Sequence, residues 1–168
     1  MKPALLIIDM QEAFYDFDPD TSRSLKQAED FINAVIPPFR EKGLPIFVIE
    51  DIDEGSGRIP GAPGFATVAS IDLLPEDPRI HKVYSNAFNK TPLHDQLQSA
   101  GVDTVILTGF AASKCVLSTC RGAADLDYTP ILLRDALADF LPDRILFTEQ
   151  VNNLISYGAL IKFLENCG

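Results

Sequence analysis

The stretch Val105-Ile-Leu-Thr-Gly109-Phe-Ala-Ala-Ser113-Lys-Cys115-Val decides the fold of this chain. An apolar run closes at Gly109, small residues follow, and Val116, Leu117, Ala123 and Ala124 continue the pattern. It reads as a buried strand, a tight turn and the opening of a crossover helix. Cys115 stands at that opening, where unpaired N–H groups and the positive end of the helix dipole favour a thiolate and lower a thiol pKa. A free cysteine is by default a small buried hydrophobe, so a reactive role for Cys115 depends on what else reaches it.

Working outward, the same strand pattern recurs. Ala4-Leu-Leu-Ile-Ile8 ends at Asp9, Pro45-Ile-Phe-Val-Ile49 at Glu50 and Asp51, and Pro130-Ile-Leu-Leu133 at Arg134-Asp135. Residues 78–83 form a short strand with Lys82 near its end. Residues 24–42 carry Leu25, Ala28, Phe31, Ile32 and Val35 on one helical face, with a break or kink predicted at Pro37-Pro38 and a stop at Gly43. Thr91-Pro92 is a cap and first-turn proline for a helix running to Ala100 and stopped by Gly101. Residues 53–64, rich in glycine and proline, read as a long irregular loop of the kind that carries function. Near the end, Ile145, Val151, Leu154 and Ile155 suggest a helix, and Gly158-Ala-Leu-Ile161 a last short strand. Strands alternating with helices predict an α/β fold: a three-layer α/β/α, Rossmann-like, doubly wound parallel sheet.

Composition narrows the function. At 168 residues and 46% hydrophobic content, a single domain over residues 1–168 is expected. A formal net charge of −10 opposes nucleic-acid and anionic-membrane partners. Three cysteines without a CxxC pair make no disulfide framework and point to a reducing compartment. The apolar run after Met1 is too short for a signal peptide or membrane span, so a cytoplasmic protein is expected. No G-x-G-x-x-G or Walker loop follows a strand, which weighs against a nucleotide cofactor.

In a doubly wound sheet the ligand site lies outside the carboxyl ends of the strands, where strand order reverses. Asp9, Lys82 and Cys115 all fall at such ends. Together they form a nucleophilic set in which a base takes the thiol proton, a cation holds the anions and the thiolate attacks a carbonyl. His81 alternates with Lys82 along its strand, so both cannot face one site.

Four segments now carry a resemblance over nearly the whole chain. They are Leu-Ile-Ile-Asp9-Met-Gln-Glu-Ala-Phe14; Pro60-Gly-Ala-Pro-Gly64; Lys82-Val-Tyr-Ser-Asn-Ala-Phe88-Asn-Lys-Thr91-Pro-Leu93; and Gly109-Phe-Ala-Ala-Ser-Lys-Cys115-Val through Thr119, Ala123 and Asp135-Ala136. In order and spacing the chain resembles the isochorismatase-like cysteine hydrolases, which include nicotinamidases and N-carbamoyl amidohydrolases. The resemblance implies a catalytic triad of Asp9, Lys82 and Cys115, and a cis peptide between Phe110 and Ala111. It also implies an oxyanion hole from the Ala111 and Cys115 amides, hydrolysis of a C–N bond in a small amide or carbamoyl substrate, and a homo-oligomer.

The departures also inform. Nicotinamidase relatives hold a metal through an aspartate and histidines after the second strand, where this chain has Asp51-Ile-Asp53 and no histidine, so neither a metal nor another cofactor is expected. Cys115 itself argues against the reaction that names the family. Asp127 stands where relatives carry glycine and is expected to adopt the left-handed conformation. Phe14, Tyr84 and Phe88 are candidate pocket walls, Arg58 a solvated loop residue or a carboxylate binder, Lys114 a surface charge, Ser113 a helix cap, Cys120 a buried small residue and Cys167 a chain-end thiol. The competing reading is a noncatalytic α/β module that binds a metabolite or partner in the same cleft.

Overall fold

The computed structural model describes residues 1–166; Cys167 lies outside them. A six-stranded sheet runs in the order β3-β2-β1-β4-β5-β6, with every pair parallel. Its strands are β1 (Pro3–Ile8), β2 (Ile46–Asp51), β3 (Arg79–Lys82), β4 (Thr104–Gly109), β5 (Thr129–Leu137) and β6 (Leu154–Ile155). Strand order reverses between β1 and β4, whose register pairs Ile8 with Gly109. In such sheets that crevice is where ligands bind.

Alternate residues of each strand supply two cores. Ala4, Leu6, Ile8, Val105 and Leu107 face α3 (Leu93–Ser99) and α4 (Leu117–Asp125), meeting Leu93, Leu97, Cys120 and Ala123. Leu5, Ile7 and Ile106 face α2 (Pro19–Glu41) and α6 (Tyr157–Glu165), meeting Leu25, Ile32, Phe39 and Leu160. Covering both faces is what lets β1 be apolar at every position and buried along its whole length. Two further α-helices among the described residues are the single turn α1 (Glu12–Tyr15) and α5 (Pro142–Gln150), and Glu54–Ser56 forms one 3-10 turn.

Four expectations need correction. Helix α2 begins at Pro19, well before residue 24, because the Asp18 side chain accepts from the Asp20 and Thr21 amides and Pro19 occupies the first position. It also runs unbroken through Pro37 and Pro38, since Val35, Ile36 and Phe39 stay buried against the sheet and outweigh the lost backbone bonds. It ends where expected: Gly43, at φ +61, donates to Arg40 and Leu44 to Phe39, the paired bonds of a Schellman stop. At the C-terminal end the helix expected at Ile145 is α5, ending at Gln150, but the assignments beyond it are exchanged. Leu154–Ile155 is the strand, and the segment holding Gly158 is helix α6, capped by the Ser156 side chain on the Ala159 amide. Helix α3 begins at Leu93, one residue later than the cap reading, with Pro92 at the cap position and the Thr91 hydroxyl bonded back to the Ala87 carbonyl. Asp127 adopts φ +63 as expected.

Candidate active site

Four strand ends converge at the switch point. Asp9 follows β1, Asp51 ends β2, Lys82 ends β3, and Cys115 lies in a π turn (Ala112–Val116) between β4 and α4. Gly109 makes the approach of β4 to β1 possible: at φ +106, a Cβ on it would collide with the Ile8 backbone. Phe110 then donates to the Ile8 carbonyl at 2.8 Å. The Phe110–Ala111 peptide is cis. Asp9 itself has φ +51, which aspartate tolerates.

The expected residues Asp9, Lys82 and Cys115 come together. Lys82 Nζ lies 3.0 Å from Asp9 Oδ2, 2.7 Å from Asp51 Oδ1 and 3.4 Å from Cys115 Sγ. Asp9 and Lys82 are each 1% exposed, while Cys115 is only partly buried. The second Asp9 oxygen, Oδ1, is buried with no hydrogen-bond partner among the described residues, as is Asp139 Oδ1. A buried unpaired carboxylate oxygen is costly and marks a place where another group docks or a proton is received. Register explains the choice of cation: Asp51 pairs with Lys82 and Glu50 with His81, so lysine and histidine point to opposite faces.

Burial pushes the Asp9 carboxyl up to about 6, with the Lys82 charge pulling it down and the Asp51 charge adding to the rise. Burial works against the Lys82 charge, yet Asp9, Cys115 and Asp51 hold its pKa above the ordinary lysine value. Cys115 overturns the expectation of a lowered pKa. Burial and the facing Asp9 carboxylate push the thiol up to about 12, outweighing Lys82. The resting site is therefore an ionised acid beside a neutral thiol.

A family model described as the isochorismatase domain matches residues 3–151. The chain belongs to the isochorismatase family. The family protein YrdC of Bacillus subtilis (strain 168) is 30% identical over 141 residues, spanning 83% of this chain and 75% of that protein. Streptothricin hydrolase of Streptomyces noursei is 29% identical, over 83% of this chain but 54% of the hydrolase. The crystal structure of N-carbamoylsarcosine amidase from Thermoplasma acidophilum matches with a TM-score of 0.81 and 28% identity, covering 93% of this chain and 95% of that one. The isochorismatase family is thus one of hydrolase-type folds whose named members include amidases.

Within this isochorismatase-family site, Asp9, Asp51 and Cys115 turn ligand-type atoms to within 4.8 Å of one another. The Lys82 ammonium touches all three, so a metal there would have to displace a buried cation. Arg58 is neither solvated nor free: its side chain is 15% exposed and its Nη2 lies 2.6 Å from Asp51 Oδ2. Phe14 comes to the site indirectly, its ring 4.8 Å from Phe110 and 4.6 Å from the Arg58 guanidinium carbon. Tyr84 is exposed and bonded to Lys90 at 3.1 Å. Phe88 is in the core, stacked on Tyr128, in the cluster against which Cys115 packs. Ser113 is not the cap: Ala111 holds that position, and the Ser113 amide and hydroxyl both donate to the buried Asp139. Lys114 is exposed over the Phe140 ring, and Cys120 is buried.

Sequence reasoning missed Asp51, Gln11 and Asp139. Asp51 carried a usable signal, its place at a strand's carboxyl end. Gln11, fully buried, braces it by accepting from the Asp51 amide at 2.8 Å and donating to the Asp51 and Phe65 carbonyls. Surface hollows of about 550 and 620 Å³ lie elsewhere, one beside Phe31 and Glu149, the other beside Tyr15 and Glu29. Neither holds a cysteine, and the group of carboxylate, ammonium and thiol lies at the switch point. No described helix is long and apolar enough to cross a membrane.

Proposed function

We propose that this protein is a cysteine-dependent hydrolase that cleaves a C–N bond of a small amide or carbamoyl compound through a thioester on Cys115. The observation that carries the reading is the single contact group of carboxylate, ammonium and thiol, with Asp9 Oδ1 buried and unpartnered. A neutral thiol beside an ionised carboxylate suits proton transfer coupled to attack. Asp9 accepts the Cys115 proton as Sγ bonds to the substrate carbonyl carbon, and the Ala111 and Cys115 amides receive the oxyanion. The tetrahedral adduct collapses, the C–N bond breaks, and Asp9 passes its proton to the leaving nitrogen. A water then enters, Asp9 removes its proton, and the resulting attack breaks the thioester; the proton returns to Sγ. Lys82 keeps Asp9 oriented and offsets the negative charge that builds at the thiol.

The relatives named streptothricin hydrolase and N-carbamoylsarcosine amidase favour an amide or ureido substrate. The test is ammonia or amine release from a panel of small amides and ureido acids, comparing wild type with Cys115→Ala. Turnover that requires Cys115 is expected; turnover that survives the substitution overturns the mechanism, and none on a broad panel favours a binding module. We propose also a homo-oligomer, for which the exposed Leu141, Leu146, Phe147 and Val151 around α5 supply apolar surface. Light scattering at the monomer mass of 18.4 kDa across concentrations would overturn that.

A further inference from the structure

We infer that Arg58 is a positioning residue for this site: by gripping one oxygen of Asp51 it neutralises that carboxylate beside the thiol and leaves the other oxygen to anchor Lys82. The inference rests on the hydrolase reading above. Asp9 and Asp51 share one ammonium, with Lys82 Nζ at 3.0 and 2.7 Å. Two carboxylates and one cation leave negative charge next to Cys115, which opposes removal of its proton. Arg58 restores the balance from the far side of Asp51.

The guanidinium is built into its place. Nη2 donates to Asp51 Oδ2 at 2.6 Å and Nε to the Asp51 carbonyl at 3.3 Å. Its carbon sits 4.6 Å from the Phe14 ring centre, and that ring in turn packs on Phe110, the residue before Ala111. The turn that delivers it is closed by paired backbone bonds between Asp53 and Arg58, at 2.8 and 3.0 Å. A planar fork held by a stack on one side and a carboxylate on the other does what a lysine point charge reproduces only in part. The result is a line of alternating charge, Arg58 to Asp51 to Lys82 to Asp9, ending at the thiol.

The groups that face Asp9 are Lys82 from β3, Asp51 from β2 and Cys115 from the π turn, with Arg58 behind Asp51 and Asp53 at 3.8 Å from Arg58. The Asp51 charge already raises both the Asp9 and the Cys115 pKa. Loss of Arg58 strengthens that field, so proton removal from Cys115 becomes harder.

The probe is iodoacetamide, which needs no known substrate. Labelling rates of Cys115 are followed by peptide mass mapping from about pH 5 to 10, with buried Cys120 as internal reference. For Arg58→Ala the profile is expected to move up by about one pH unit, with labelling about tenfold slower at neutral pH. Arg58→Lys should fall between. The double variant Asp51→Asn with Arg58→Ala, which removes both charges, should recover most of the loss, an outcome that a merely structural role for Arg58 does not give. An Arg58→Ala profile that overlays the wild type, or a double variant no faster than Arg58→Ala, overturns the inference. Should Arg58→Ala fail to fold by circular dichroism, Arg58→Lys and the double variant decide between the same outcomes. Turnover of the amide and ureido panel that survives Cys115→Ala overturns the hydrolase reading instead.

Discussion

Strands β2 and β3 carry two couples of a carboxylate with a nitrogen side chain one residue apart, Asp51 with Lys82 on one face and Glu50 with His81 on the other. Glu50 is saturated: Oε1 accepts from the Thr67 amide at 3.1 Å, the Thr67 hydroxyl at 2.9 Å and Arg79 at 3.3 Å, while Oε2 meets His81 at 3.1 Å. On the opposite face the lysine is completely buried, three anionic or acidic groups compete for it, and Asp9 Oδ1 goes without a partner. The residue types are alike. What separates the Glu50 couple from the one proposed to react is whether the lone pairs are all used. The unsatisfied face also borders the switch point, where a ligand can supply the missing partner.

The comparison breaks most visibly at Cys115. Cys115→Ala should take turnover below detection and leave no acyl adduct in rapid-quench mass spectrometry, whereas no substitution on the Glu50 face should do so. Asp9→Asn comes next, with kcat expected to fall about 100- to 10,000-fold, the range for loss of a positioned base. In the wild type kcat/KM should decline below about pH 6, because only ionised Asp9 accepts the proton and burial holds its pKa near that value. The same shift acts on stability. The folded pKa of about 6 exceeds the ordinary 3.8, so the fold favours protonated Asp9 and loses that contribution as pH rises through 6. Urea midpoints of wild type should therefore fall between about pH 4 and 6 relative to those of Asp9→Asn.

Lys82→Met sharpens the contrast from the cationic side. It strands Asp9 without a counter-ion, leaves Asp51 to Arg58 alone, and should cost about 3–5 kcal/mol in denaturant unfolding, beyond its effect on turnover. Glu50→Gln should cost about 1–2 kcal/mol while leaving kcat within about twofold, since the amide keeps the Thr67 bonds and no reacting group is touched. His81→Ala should give the smallest effect, a midpoint change at the edge of measurement, because the ring is 39% exposed. A large kcat loss in either Glu50→Gln or His81→Ala would show that the two faces are coupled.

Much of this was legible in the chain. Apolar runs gave β1, β2 and β4 because parallel strands are covered on both faces, and period-two alternation separates Lys82 from His81. The prolines of α2 misled because their cost is local, whereas the buried stripe that carries the helix through them is tertiary. The two residues of β6 are too few to show a period, and Gly158 sits in the first turn of α6, before the buried residues Leu160 and Leu164. In the site, strand ends pointed to Asp9, Lys82 and Cys115. The part of Arg58 was hidden because it follows from the closure of an irregular loop onto Phe14 and Asp51, which no spacing encodes. The direction of the Cys115 shift was misread for a related reason: a helix start is visible in sequence, but the depth of burial and the facing Asp9 are not.

Lys82 ends a four-residue strand at the rim of the sheet, paired on one side only, to β2. Short edge pairings open locally far more often than a central strand such as β1, which is bonded on both sides. Withdrawal of β3 would carry the ammonium out of the site while the helices and inner strands stay in place. Heat should thus silence the protein before it melts it, with turnover vanishing at a lower temperature than the helical circular dichroism signal, and activity serving as a thermometer for one rim of the sheet.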